Sequence, residues 1–156
     1  MGIQFSGGLR IVPNAYSNNW IQVTTDGGDG IINITGSTNF CISGPNDDNG
    51  AQWLYIKKQF STSGTLYFDY TWTNTDPGED WPIYEVTSVE PTGALGTDNI
   101  RRYNDPENDQ GVYEISYNAG DWVAIGVYSS DSCCGFGTLC LTLIDAPEPT
   151  IIPESA

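Results

Sequence analysis

Histidine is absent from the 156 residues of this chain, and basic residues are scarce, with five Lys and Arg against 20 Asp and Glu. Without an imidazole the chain has no Ser-His-Asp or Cys-His catalytic group, no zinc site with histidine ligands and no histidine general base. Catalysis would have to use carboxylates, cysteines or a hard metal ion. We therefore expect a protein without enzymatic activity.

The scarcity of positive charge also restricts the partners. The formal net charge is −15. Nucleic acids and anionic membrane surfaces attract proteins through Lys and Arg, so neither is expected to bind this chain. The simplest role of the acidic surface is to keep the protein soluble, and cation binding or a basic partner surface are the alternatives.

Long apolar runs are missing as well. No stretch approaches the roughly 18 apolar residues of a membrane-spanning helix. The start of the chain, Met1–Ser6, lacks the basic and apolar regions of a signal peptide. Reduced thiols are therefore the default, although the even number of cysteines leaves disulfides open in several pairings. The four cysteines are Cys41, Cys133, Cys134 and Cys140.

What the sequence does contain is a series of short strand patterns. In Gly64–Asn74 the apolar Leu66, Phe68, Tyr70 and Trp72 alternate with more polar residues, as in a strand with one buried face. Eighteen Gly and nine Pro separate such runs. The pattern predicts about ten strands and an all-β sandwich or barrel. These strands are Trp20–Thr25, Ile31–Thr35, Phe40–Ser43, Ala51–Phe60, Gly64–Asn74, Trp81–Val89, Ile100–Tyr103, Gly111–Tyr117, Trp122–Tyr128 and Gly137–Ile144.

The chain is expected to form a single domain over residues 20–145. Residues 1–19 are predicted to be an N-terminal segment available for assembly contacts, and residues 146–156 a proline-rich extended tail. The glycines between Asp26 and Asp29 are a turn signal and predict a hairpin of the first two strands.

Acidic residues concentrate in the predicted loops. Calcium takes six to eight oxygen ligands, which Asp-rich loops supply, although Asp in a turn also caps its own backbone. Asp76, Glu79 and Asp80 lie within five consecutive residues and are the first candidates for calcium ligands.

Aromatic residues are more numerous than a small core requires, with five Trp and nine Tyr. Those in regular strand patterns are interpreted as core: Trp20, Trp53, Trp72 and Trp122. Trp81 and Tyr103 lie near polar loops, where they are candidates for stacking on a sugar or anchoring a partner.

Three stretches, Gly64-Thr-Leu-Tyr-Phe-Asp-Tyr-Thr-Trp72, Asn118-Ala-Gly-Asp-Trp-Val-Ala-Ile-Gly-Val-Tyr128 and Gly137-Thr-Leu-Cys-Leu-Thr-Leu143, resemble CUB-like jelly-roll sandwiches. The resemblance extends over roughly residues 60–147. It implies a single jelly-roll, CUB-like antiparallel β-sandwich and says less about function, because one fold serves many functions.

The opening Met1-Gly-Ile-Gln-Phe-Ser-Gly-Gly8 is similar to the start of small virion structural proteins of marine tailed phages, particularly cyanophages. This resemblance implies a capsid decoration or a tail or fibre component, located in the virion, that binds other virion proteins and further copies of itself. The candidate contact residues are Ile3 and Phe5, which could add a strand to a neighbouring sheet, and Pro147, Pro149 and Ile151 of the tail.

The second hypothesis is a calcium-dependent carbohydrate-binding or adhesion module, which would be extracellular and would bind host-surface glycans. It uses Trp81, Tyr103 and the loop acids. No cofactor is expected apart from the calcium of this second hypothesis.

Overall fold

The computed structural model describes residues 20–25, 30–35, 38–46, 50–75, 80–96, 98–100, 108–130 and 135–144. The predicted N-terminal segment and C-terminal tail lie outside these ranges. So do the five candidate contact residues in them, namely Ile3, Phe5, Pro147, Pro149 and Ile151.

The described residues form ten strands and no helix. The strands are β1 (Ile21–Thr24), β2 (Ile31–Thr35), β3 (Asn39–Ser43), β4 (Gln52–Gln59), β5 (Gly64–Asn74), β6 (Asp80–Thr87), β7 (Asp98–Asn99), β8 (Asn108–Tyr117), β9 (Trp122–Ser129) and β10 (Gly137–Ile144). The all-β prediction is confirmed. Strand β8 begins before the predicted Gly111, and β7 lies just before the predicted strand Ile100–Tyr103, of which residues 101–103 are outside the described residues.

Two five-stranded antiparallel sheets build the sandwich. The first sheet has the order β1-β4-β9-β6-β7, and the second sheet has the order β2-β3-β10-β5-β8. Strands β3 to β10 follow the eight-stranded jelly-roll arrangement, with β4-β9-β6-β7 opposite β3-β10-β5-β8. Strands β1 and β2 each extend one sheet at its edge. The predicted jelly-roll sandwich is therefore the observed fold.

The core lies between the sheets and follows the period-two pattern of the strands. Leu66, Phe68 and Trp72 of β5 belong to the same buried cluster between the sheets as Ile125 and Val127 of β9. Burying each such side chain contributes roughly 1.5–3 kcal/mol, which makes this interface the main source of stability.

The predicted hairpin of β1 and β2 is wrong. Strand β1 pairs with β4 in the first sheet, and β2 pairs with β3 in the second. Glycines in a turn allow the chain to reverse but do not specify which strand it then pairs with. Here β1 and β2 are edge strands of different sheets, and the connection between them crosses from one sheet to the other.

Candidate binding surfaces

An aromatic row crosses the outer face of the first sheet. Trp53 of β4 and Trp81 of β6 are both register partners of Tyr128 on the central strand β9. All three side chains point away from the core, because they alternate with buried neighbours such as Leu54 and Val127. Each is half-buried. We refer to Trp53, Tyr128 and Trp81 as the aromatic row.

The rings of the aromatic row are stacked. The ring centroids of Trp53 and Tyr128 are 4.7 Å apart with planes inclined by 30°, and those of Trp81 and Tyr128 are 5.3 Å apart with planes inclined by 17°. These separations are close to the spacing of about 4.8 Å between strands, so the rings stand on the sheet with their faces together. Tyr128 is covered on both faces by the row, whereas each tryptophan has one face turned away from it.

A small second core supports the aromatic row from the side. Buried Tyr55, Ile83, Leu95 and Ala124 form it on the outer face of the first sheet, and all three rings of the row pack against it. Leu95 belongs to the connection between β6 and β7. Residues 88–96 of that connection thus cover the middle of the outer face and leave the aromatic row beside them.

Two side chains of β4 fasten this connection. The Tyr55 hydroxyl donates to the Gly93 carbonyl at 3.0 Å. Burial, together with the Glu85 carboxylate, raises the pKa of Tyr55 to about 12, so this donor keeps its proton well into alkaline solution. The buried Lys57 ammonium donates to the Pro91 carbonyl at 2.6 Å and pairs with the Glu90 carboxylate at 2.9 Å.

Asp80, a predicted calcium ligand, is buried at the point where the two sheets meet. Its Oδ1 accepts a hydrogen bond from the Ser129 hydroxyl at 2.8 Å, and its Oδ2 accepts one from the Gly137 N–H at 2.7 Å. Position 137 must be glycine here, because a Cβ would overlap the Trp72 ring. Both carboxylate oxygens of Asp80 therefore accept hydrogen bonds from within the protein.

The other predicted site residues are distributed as follows. Trp81 is half-buried in the aromatic row, and its binding role stays a prediction. Asp76, Glu79 and Tyr103 lie outside the described residues, so the calcium site and the sugar-stacking role of Tyr103 remain predictions. The described ranges contain no group of three or more Cys, Asp or Glu side chains arranged to hold a metal ion.

The outer face of the second sheet has a different character. Its outward positions on β2, β3 and β10 carry no charged residue, although the chain has a net charge of −15. Cys41 and Cys140 face each other across β3 and β10 and form a disulfide, where the sequence favoured reduced thiols. Beside them the Ser43 and Thr138 hydroxyl oxygens are 3.0 Å apart.

A recess of about 420 Å³ opens next to the disulfide. Its polar lining comes from Asn33 and Thr35 of β2, Asn39 of β3 and Thr142 of β10. Amide and hydroxyl groups without charge provide donors and acceptors for a neutral polar ligand.

The sequence interpretation missed two members of the aromatic row. The sequence predicts core positions for Trp53 and Trp122 and gives Tyr128 no binding role, whereas all three are half-buried on the outer face of the first sheet. The core interpretation is confirmed for Trp20 and Trp72. The available signal was the alternation itself, since Trp53 is out of phase with the apolar Leu54 and Ile56.

No helix in the described part of the chain is long and apolar enough to cross a membrane.

No protein-family model and no curated protein sequence matches this chain. The similar solved structures include two adhesin domains of Lys-gingipain from Porphyromonas gingivalis W83. The K1 cleaved adhesin domain is 13% identical with a TM-score of 0.46, over 86% of this chain and 95% of that chain. The K3 cleaved adhesin domain is 10% identical with a TM-score of 0.45, over 85% of this chain and 95% of that chain.

A third similar structure is the enzymatically active domain of tailspike protein 4 from bacteriophage CBA120. It is 15% identical with a TM-score of 0.42, over 92% of this chain and 23% of that chain. None of these comparisons supports the resemblance of residues 1–8 to cyanophage proteins. At such TM-scores the likenesses assign neither a family nor a function to this chain.

Proposed function

We propose that this protein is a non-enzymatic binding module that attaches to a larger protein assembly, with a phage virion as the first candidate. The observation that carries the proposal is the aromatic row of Trp53, Tyr128 and Trp81. Its rings stack on one another and pack against the second core, beside the connection over residues 88–96. Trp and Tyr are the residues that most often dominate the energy of protein contacts.

The stacking favours a protein partner over a sugar. A sugar ring packs on an open aromatic face, and in the row both faces of Tyr128 and one face of each tryptophan are already covered by stacking. The upright edges form a ridge that the apolar side chains of a partner can enclose. The net charge of −15 favours a partner with a basic rim, since complementary charge speeds association.

The sequence supports the absence of enzymatic activity in this proposal. The chain has no histidine, so the commonest general base near neutral pH is missing. Among the described residues, the Asp80 carboxylate is buried, and its two oxygens accept hydrogen bonds from Ser129 and Gly137. This carboxylate therefore has a structural role, linking the two sheets.

The test uses virus particles purified from the source of the sequence. Mass spectrometry should detect the chain in these particles, and added labelled protein should sediment with them. Trp53→Ala combined with Trp81→Ala should weaken this binding by at least about 30-fold, if each residue contributes as an interface hot spot does.

Trp122→Ala is the matched control, because Trp122 is half-buried on the same face but lies outside the aromatic row. It should bind as the unsubstituted chain does, and melting curves should show that all variants are folded. Absence of the chain from particles, or equal binding by the double variant and the control, would contradict the proposal.

A carbohydrate-binding or adhesion module is the second candidate, and the uncharged recess beside the disulfide favours it. Asn33, Asn39 and Thr142 offer the neutral donors and acceptors that suit hydroxyl groups. A panel of neutral oligosaccharides should then bind the chain, and Asn39→Ala should abolish the binding while Trp81→Ala leaves it unchanged. A calcium requirement would appear as a rise in melting temperature in millimolar calcium. Without any bound oligosaccharide, this candidate fails.

A further inference from the structure

Within the described residues, strand β8 is a long open edge of the sandwich. It is the last strand of the second sheet and pairs with β5 along ten residues, Asn108–Tyr117. The other edge strands in the described residues are shorter: β1 has four residues, β2 has five and β7 has two. No strand of the described chain lies on the far side of β8.

The hydrogen-bonding phase of the second sheet shows which backbone groups are available there. In antiparallel pairs, hydrogen-bonded and non-hydrogen-bonded positions alternate. The Thr75 N–H donates to the Phe136 carbonyl at 3.1 Å, continuing the ladder between β5 and β10. Thr71 and Asp69 are four and six residues before Thr75 on the same strand. Because the direction of the backbone groups alternates from residue to residue, their N–H and C=O groups also point to β10 and away from β8.

The residues opposite them on β8 therefore form non-hydrogen-bonded pairs with β5. Gln110 lies opposite Thr71, and Val112 lies opposite Asp69. Along β8 the backbone N–H and C=O groups of Gln110, Val112, Glu114 and Ser116 consequently point to the open side. The side chains of these four residues lie on the outer face of the sheet.

This edge lacks the usual protection against pairing. Natural edges are blunted by charged residues, above all Lys, by Pro or by shortness; β8 is ten residues long without Lys or Pro, and its charges are limited to Asp109 near its start and Glu114. Val112 has 63% of its surface exposed in the middle of the strand. An exposed β-branched residue at the centre of an open edge is suited to a strand partner.

We propose that β8 pairs with β8 of a second copy of this chain, antiparallel and centred on Val112, so that two second sheets join into one continuous sheet. About ten new backbone hydrogen bonds would form across the two-fold axis. The two Val112 side chains meet at the centre, and Gln110 of each copy lies opposite Glu114 of the other.

Charge selects this register. A pairing centred on Glu114 would oppose two carboxylates, and one centred on Tyr113 would place Val112 opposite Glu114. Only the register centred on Val112 gives an apolar pair flanked by two amide–carboxylate pairs. The net charge of −15 on each copy opposes association, so added salt should strengthen the dimer.

This inference does not rest on the proposed function, because β8 and the aromatic row belong to different sheets. The dimer would leave both aromatic rows uncovered and give the assembly two equal contact sites. Bivalent attachment to a repetitive surface raises avidity without any new contact.

The first test is sedimentation velocity of the whole chain in low and high salt. The unsubstituted chain should be a dimer whose dissociation constant falls as salt is added. Val112→Pro should weaken the dimer by about tenfold or more, because it removes N–H groups at the centre of the pair. It should still fold, since a proline is tolerated where the N–H points away from the sheet. Val112→Thr keeps the N–H and is the control that should dimerise normally.

Cysteine substitution tests the register without depending on the fold of the proline variant. Opposed Val112 Cα atoms would lie about 5.5 Å apart, within disulfide range, so Val112→Cys should cross-link two copies. Glu114→Cys should not exceed the cross-linking of the unsubstituted chain, because its two copies would lie more than about 13 Å apart. A monomer in high salt, a dimer unaffected by Val112→Pro, or stronger cross-linking at position 114 than at 112 would overturn the proposal.

Discussion

The Asp80 carboxylate connects three strands from a position that is only 4% exposed. It lies on β6 and accepts hydrogen bonds from Ser129 of β9 in its own sheet and from Gly137 of β10 in the other. Burying a carboxylate is costly unless its oxygens are hydrogen-bonded, and charge-assisted bonds are the strong ones. At the residue scale this side chain holds the two sheets together at the end where β6 begins.

We expect Asp80→Asn to lower the free energy of unfolding by about 1–3 kcal/mol, because an amide offers one acceptor oxygen where two donors must be satisfied. Urea unfolding followed by tryptophan fluorescence measures the change. Asp69→Asn is the control, since Asp69 is exposed on the outer face of β5, and it should change stability by less than about 0.5 kcal/mol. Equal effects of the two substitutions would show that Asp80 does not link the sheets.

At the scale of elements, the connection over residues 88–96 behaves as a cover attached to β4. Lys57 reaches it through the Pro91 carbonyl and the Glu90 carboxylate, and the Lys57 ammonium also lies 5.6 Å from the centre of the Trp122 ring. Tyr55 provides the second attachment through Gly93. An irregular segment with so few apolar anchors depends on these polar contacts for its order.

Lys57→Met should loosen this cover without unfolding the sandwich. Methionine retains much of the apolar stem but donates nothing to Pro91, so amide hydrogen exchange in residues 88–96 should accelerate by about tenfold. Exchange in β5 should stay unchanged.

Glu90→Gln tests which partner of Lys57 matters. The Glu90 side chain is about half exposed and contributes a weak ion pair, so its effect should be smaller than that of Lys57→Met. A larger effect of Glu90→Gln would assign the attachment to the ion pair and not to the buried hydrogen bond.

For the whole molecule, the disulfide between Cys41 and Cys140 closes a loop of most of the chain. Its cysteines are 99 residues apart and join β3 to β10 within the second sheet. In the chain-entropy account a bridge of this span stabilises the folded state by up to about 4.7 kcal/mol, because it restricts the unfolded chain.

Replacing both cysteines by serine should therefore lower the free energy of unfolding by about 3–5 kcal/mol, measured by reversible urea unfolding. The matched control is Ser43→Ala with Thr138→Val, which removes a non-covalent contact between the same two strands at a neighbouring position. That control should cost less than about 1 kcal/mol. Similar losses for the two double variants would show that the covalent link is not what stabilises the sheet.

The sequence by itself determined the class of fold and most strand positions. Alternation in segments such as Gly64–Asn74 sets which side chains can be buried together, and this local property needs no knowledge of neighbours. Tertiary structure alone decided that β1 and β2 belong to different sheets, that Cys41 bonds Cys140, and that Trp53 joins Tyr128 and Trp81 on an outer face. These features depend on which distant strands pair and in what register, and a local pattern records only that a strand has two faces.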